Sequence, residues 1–138
     1  MSKRLKVAGI FILLPIVAFA QGSNFDSEWS KSFAVELNNI RKMNGLPELE
    51  YSILLSRQSY AYSKSMSRRF KGQPQLEHAQ SHWLFIKLYD GECISYGDDP
   101  LNQWLNSLPH RRIMMDRSMK KIGVSCYGEY CTLRVKRD

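Results

Sequence analysis

The sequence predicts an α+β domain, and three observations carry that prediction. The front half holds two long amphipathic stretches of helical period. The end holds two stretches of alternating period around a tight turn, and between them lies a short helix built on Trp104. Helices gathered early and strands gathered late belong to folds that pack helices against a sheet of locally connected strands.

Each element has its own signals. Trp29, Phe33, Leu37 and Ile40 make one stripe of a first helix, which Arg41 and Lys42 close and Gly45 and Pro47 end. Residues 46–49 form an extended connector. Ser52 is an N-cap for a second helix carrying Leu54, Leu55, Ala61, Tyr62, Ser65 and Met66, which ends at Arg68, Arg69 and Lys71 before Gly72 and Pro74. Trp83, Leu84, Ile86 and Leu88 fit either a short helix or irregular buried chain. Residues 91–96 form a short strand. Leu101, Trp104, Leu105 and Leu108 then share one helical face, with Asp98 or Asp99 as N-cap and Pro100 at the first position. Pro109 is expected to end that helix and to present His110 just beyond it. Residues 111–120 form a basic loop with Met114, Met115 and Met119, methionines that either adapt to an apolar ligand or fill core gaps. Strands over 121–127 and 130–136 complete the chain.

The chain has 138 residues and a formal net charge of +7. Its first twenty residues read as a secretory signal peptide: Lys3, Arg4 and Lys6, then a fourteen-residue apolar stretch over 7–20 ending Ala18-Phe19-Ala20. Cleavage before Gln21 leaves 118 residues, one domain, at net charge +4. The apolar stretch is short for a ~30 Å bilayer core, so stable membrane insertion is not expected. The expected location is secreted or periplasmic, and the expected state is monomeric. Residues 101–138 hold eight Lys and Arg against three acids, which make either a solvated basic surface or a patch suited to an anionic glycan, phospholipid headgroup or other envelope component. Export and this modest charge argue against nucleic acid. There is no P-loop, Gly-x-Ser-x-Gly, His-Glu-x-x-His or dinucleotide fingerprint.

Export permits disulfides. Cys126 and Cys131 are symmetric about Gly128-Glu129. A two-residue hairpin loop there sets them opposite each other at a non-hydrogen-bonded pair, where side chains are close enough to bridge. Cys93 is left as a buried small residue, a free thiol or an alternative partner.

His78, Gly91-Glu92-x-Ile94, Trp104-x-x-Ser107-x-x-His110-Arg111 and Ile122-Gly123-Val124 occur in an order that resembles the CAP superfamily (SCP/TAPS) in its compact bacterial form. The resemblance implies a three-layer α-β-α sandwich with a small antiparallel sheet. It also implies a cleft lined by His78, Glu92 and His110, with His82 a competitor for the first position. Ser107 stands where many members carry a second acid, so a four-residue catalytic scheme is not carried over. Two imidazoles and a carboxylate can ligate zinc, with His78 and His110 as metal ligands, or can do acid–base work without metal. Three functions follow: a module binding a lipid, sterol or envelope component; a metal-assisted hydrolase; or a structural module with a vestigial cleft.

Overall fold

The computed structural model describes residues 24–138, and the signal-peptide reading of residues 1–20 lies outside them. The elements are α1 (Ser27–Met43), β1 (Glu50–Tyr51), α2 (Ile53–Arg69), β2 (His82–Trp83), β3 (Ile86–Lys87), β4 (Gly91–Tyr96), α3 (Pro100–Leu105), α4 (Leu108–Met114), β5 (Lys121–Tyr127) and β6 (Tyr130–Lys136). One sheet runs β1-β5-β6-β4. The pairs β5–β6 and β6–β4 are antiparallel, as expected, and the two residues of β1 add a parallel pairing to β5.

Alternation along the strands assigns the two faces. Ile122, Val124, Leu133, Val135 and Cys93 belong to a core shared with Phe33 and Leu37 of α1, Trp104 of α3 and Met114 of α4. Trp104 is 1 % exposed, stacks edge-on to Phe33 and donates its indole N–H to the Ile94 carbonyl at 3.1 Å. The opposite face lies under α2. The result is the α-β-α sandwich, with α1, α3 and α4 in one layer and α2 in the other.

The α2 layer corrects the expected apolar stripe. Leu54, Ala61 and Ser65 are exposed, and the buried face is Leu55, Ser56, Ser59, Ser63 and Met66. The serines have a reason to be there. Beyond Ile122 the outer edge of β5 has no strand partner. Ser56 Oγ accepts from the Val124 amide at 3.2 Å, and Ser30 Oγ donates to the Val124 carbonyl. Ser63 Oγ donates to the Ser125 carbonyl at 3.3 Å and pairs with Thr132 Oγ1 at 2.8 Å. Helix hydroxyls thus cover a sheet edge that would otherwise be bare. Gly123 permits the approach: a Cβ there would lie 2.3 Å from the Leu55 carbonyl carbon.

Three further expectations change. Pro109 does not end a helix. Asn106 caps α3, Ser107 stands at the N-cap of α4, and Pro109 lies in the first turn of α4, where a missing N–H costs nothing. His110 is therefore helical, and the basic loop shrinks to residues 115–120. Met114 and Met119 are core residues. The segment around Trp83 is neither helix nor buried: β2 and β3 form a small hairpin with Trp83, Leu84 and Ile86 exposed.

The cysteine reading holds. Cys126 and Cys131 are register partners joined by a disulfide with Cα atoms 4.1 Å apart, and Cys93 is free and buried.

Candidate functional site

The site forms at the β4 edge of the sheet. Glu92 is 6 % exposed on the α2 face of β4, directly opposite Arg134 of β6. Arg134 Nε donates to Glu92 Oε2 at 3.0 Å. The other oxygen, Oε1, accepts from the Ala79 amide at 2.9 Å and meets His78 Nδ1 at 3.0 Å. Two tyrosine rings flank the guanidinium, with its carbon 4.4 Å from the Tyr89 centroid and 5.4 Å from that of Tyr62. A cation between aromatic faces, paired to a carboxylate with both oxygens satisfied, is a tolerable buried charge.

The same tyrosines hold the loop that carries His78. Tyr62 donates its hydroxyl to the Glu77 carbonyl, and Tyr89 donates to the Ala79 carbonyl at 2.6 Å. Burial pushes the Tyr89 phenol well above its usual range, and the nearby Glu92 adds to the shift, so this hydroxyl stays a donor. Leu76, two residues before His78, is 43 % exposed, so apolar packing does not fix this loop. Hydrogen bonds from two rings do that work instead.

His78 itself is open, its side chain 59 % exposed. A carboxylate only accepts, so Nδ1 carries a proton toward Glu92. His82 belongs to β2, is exposed and pairs with Ser81 Oγ at 2.9 Å, so Glu92 selects His78 between the two.

His110 approaches from the other layer. It stands in the first turn of α4, and its carbonyl accepts from the buried Cys93 thiol at 3.8 Å. Its Nδ1 is buried and has no hydrogen-bond partner among the described residues. Burial holds its pKa below the usual histidine value, and the charge of His78 lowers it further. The neutral imidazole is therefore favoured further down in pH than that of an ordinary histidine.

Zinc would require more. An open zinc site takes three protein ligands. Among the described residues, no three His, Cys, Asp or Glu side chains are gathered to hold an ion. Both oxygens of Glu92 are engaged in hydrogen bonds.

Sequence reading missed Arg134, Tyr62 and Tyr89. A signal existed for Arg134: it interrupts Leu133 and Val135 on an alternating strand, so it must face the opposite side of the sheet. Arg41, read only as a helix-ending residue, is also fully buried. It donates to the Met114 carbonyl at 2.7 Å and the Asp116 carbonyl at 3.1 Å, tying α1 to the end of α4.

The layers, with a hydrogen-bonded polar group at the β4 edge, define a small α-β-α domain. The chain belongs to the cysteine-rich secretory protein (CAP) family, whose model matches residues 36–134. Similar folds include an extracellular SCP-domain protein of Bacillus anthracis, at TM-score 0.63 and 19 % identity over 79 % of this chain. This chain spans 40 % of that protein. An outer surface protein of Borrelia burgdorferi aligns at TM-score 0.58 and 18 % identity, covering 78 % of this chain and 92 % of the other. A cysteine-rich secretory protein of Staphylococcus aureus aligns at TM-score 0.56 and 14 % identity, covering 85 % of this chain and 41 % of the other. No curated protein matches the chain in sequence.

Proposed function

We propose that this is an exported CAP domain, with residues 21–138 as the mature chain, that acts by binding a lipid, sterol or other envelope component at the cleft of His78, Glu92 and His110. One observation carries the reading: the buried Nδ1 of His110 has no hydrogen-bond partner among the described residues, and His78, bound to Glu92 through Nδ1, turns its Nε2 away from that carboxylate. A ligand oxygen, hydroxyl or phosphate, satisfies the orphaned nitrogen that the fold leaves buried. The Glu92–Arg134 pair is a support: it fixes His78 and spends its charges internally. Export is supported by the signal-peptide pattern and by the extracellular, outer-surface and secretory descriptions of the similar structures.

The test is extraction and mass spectrometry of protein recovered from its native envelope or medium. A bound component should accompany the native protein and be depleted in His110→Ala. A component retained equally by His110→Ala, or none in either, contradicts the reading. Metal-assisted hydrolysis is the competing use of the trio, and a zinc titration followed by melting temperature separates the two. A zinc-dependent rise abolished by either His78→Ala or His110→Ala supports the metal.

A further inference from the structure

We infer that a second cleft, between the end of α1 and α4, takes a phosphate monoester carried on an apolar group. The inference is independent of what the histidine cleft binds. The second cleft has a volume of about 380 Å³, with Asn44 and Leu46 on one wall and Arg111, Arg112 and Met115 on the other. That volume lies at the lower end of small-molecule sites, which run from ~300 to ~1,000 Å³.

Two helices end here, and C-terminal carbonyls attract cations. That demand is met without Arg111 and Arg112. In α1 the amides of Asn44, Gly45 and Leu46 return to the Arg41 and Lys42 carbonyls, and Asn44 Nδ2 donates to the Ile40 carbonyl at 2.8 Å. In α4 the amides of Met115 and Asp116 close on the Arg111 and Ile113 carbonyls. Arg41 takes the Met114 and Asp116 carbonyls and also donates to the Pro47 carbonyl at 3.0 Å, so it clamps both walls. Arg117 donates to the Gly45 carbonyl at 2.8 Å. The guanidiniums of Arg111 and Arg112 are left over, with no ion pair or hydrogen bond among the described residues. Arg41 adds one buried amino group, Nη2, that also has no partner. The acids at this junction do not cancel the excess. Asp116 accepts from the Ser118 amide at 2.8 Å and pairs with Arg137 at 3.5 Å, and the exposed Glu48 does not line the cleft.

Charge and shape select the ligand. Two unspent guanidiniums suit a group with two negative charges and several acceptor oxygens, which planar forks can grip in pairs. A phosphate monoester carries about −1.5 to −2 at pH 7, whereas a carboxylate or sulfate ester carries a single charge. Leu46 and Met115 add an apolar wall beside the cations. Met114 and Met119 are spent in the core, so Met115 is the methionine of this segment whose adaptable thioether can meet the apolar part of a ligand.

The experiment titrates protein exported from the full-length gene with phenyl phosphate, phenyl sulfate, benzoate and inorganic phosphate by calorimetry. A second arm sediments it with phosphatidylcholine vesicles, with and without phosphatidic acid, whose headgroup is the same ester. Phenyl phosphate should bind more tightly than the other three soluble probes. Arg111→Gln/Arg112→Gln should weaken it at least ~tenfold while the thermal midpoint holds, because neither side chain has a partner to lose. Met115→Ser should weaken phenyl phosphate but not inorganic phosphate. Arg57→Gln, at an exposed arginine of α2 in the other layer, should change nothing. Phosphatidic acid binding that the double arginine variant loses supports the inference with a lipid as source, and binding of the soluble ester alone supports it with a free one. No binding of either ester, phenyl sulfate or benzoate bound as tightly as phenyl phosphate, or equal weakening by Arg57→Gln would each overturn it.

Discussion

At the scale of single residues, the site rests on a buried ion pair whose members cannot be removed one at a time. Glu92→Ala leaves the Arg134 guanidinium, 5 % exposed, without its carboxylate. The expected loss is about 3–5 kcal/mol in urea unfolding, because an uncompensated buried charge is far costlier than a missing contact. Glu92→Ala combined with Arg134→Met should recover a large part of that stability while His78 loses its orienting partner. An additive double variant would contradict the pairing. The pairing of His78 with Glu92 was legible in the sequence because both residues carry the resemblance. Arg134 and Arg41 were not, since a charged residue enters the interior only with partners that register and tertiary packing supply. His110 carries a pH signature. Its folded pKa is depressed, so the unfolded chain binds the extra proton and stability is lost as pH falls from the unfolded value of ~6.5 through the folded one. Above ~6.5 both states are neutral there and the contribution is flat.

At the scale of elements, the strands over 121–127 and 130–136 agree with their sequence reading to the residue, because alternation and the Gly128-Glu129 turn fix both ends and register. The disulfide follows from that register. Replacing Cys126 and Cys131 together by serine should cost about 2 kcal/mol on a chain-entropy estimate, a modest loss because the bridged loop is short. A change in thermal midpoint as large as that from Glu92→Ala would contradict this ordering. Helix α2 was legible in extent but not in orientation. Its serines are hidden by composition, since polar residues are read as outward-facing, while the bare edge of β5 draws them inward. Gly123→Ala tests that packing: the new Cβ meets α2 backbone and has no flexible side chain to displace. A loss of about 3 kcal/mol is expected in urea unfolding, at the upper end for overpacking. A neutral result would mean that α2 sits farther from β5. The β2–β3 hairpin was illegible for the opposite reason: a run of apolar residues reads as core, and only the fold reveals that nothing packs on it.

At the scale of the whole molecule, the sheet separates the two histidines by layer, and the proposed cleft requires its β4 edge to bring them together. His78 arrives on a loop tied to the α2 face through Glu92, Tyr62 and Tyr89. His110 arrives on α4, which packs against the opposite face. Among the described residues no helix is long and apolar enough to cross a membrane. The cleft thus exists only if the folded layers bring both imidazoles to one edge, and that is the central claim. Long-range ¹H–¹⁵N correlation across the three histidines, followed through a pH titration, measures it directly. The account predicts that the His110 pKa lies below the ordinary histidine value of ~6.5 and that His78→Gln raises it, because the opposing coulombic contribution of His78 is removed. His82→Gln should leave it unchanged. A His110 pKa that ignores His78→Gln would contradict the shared cleft.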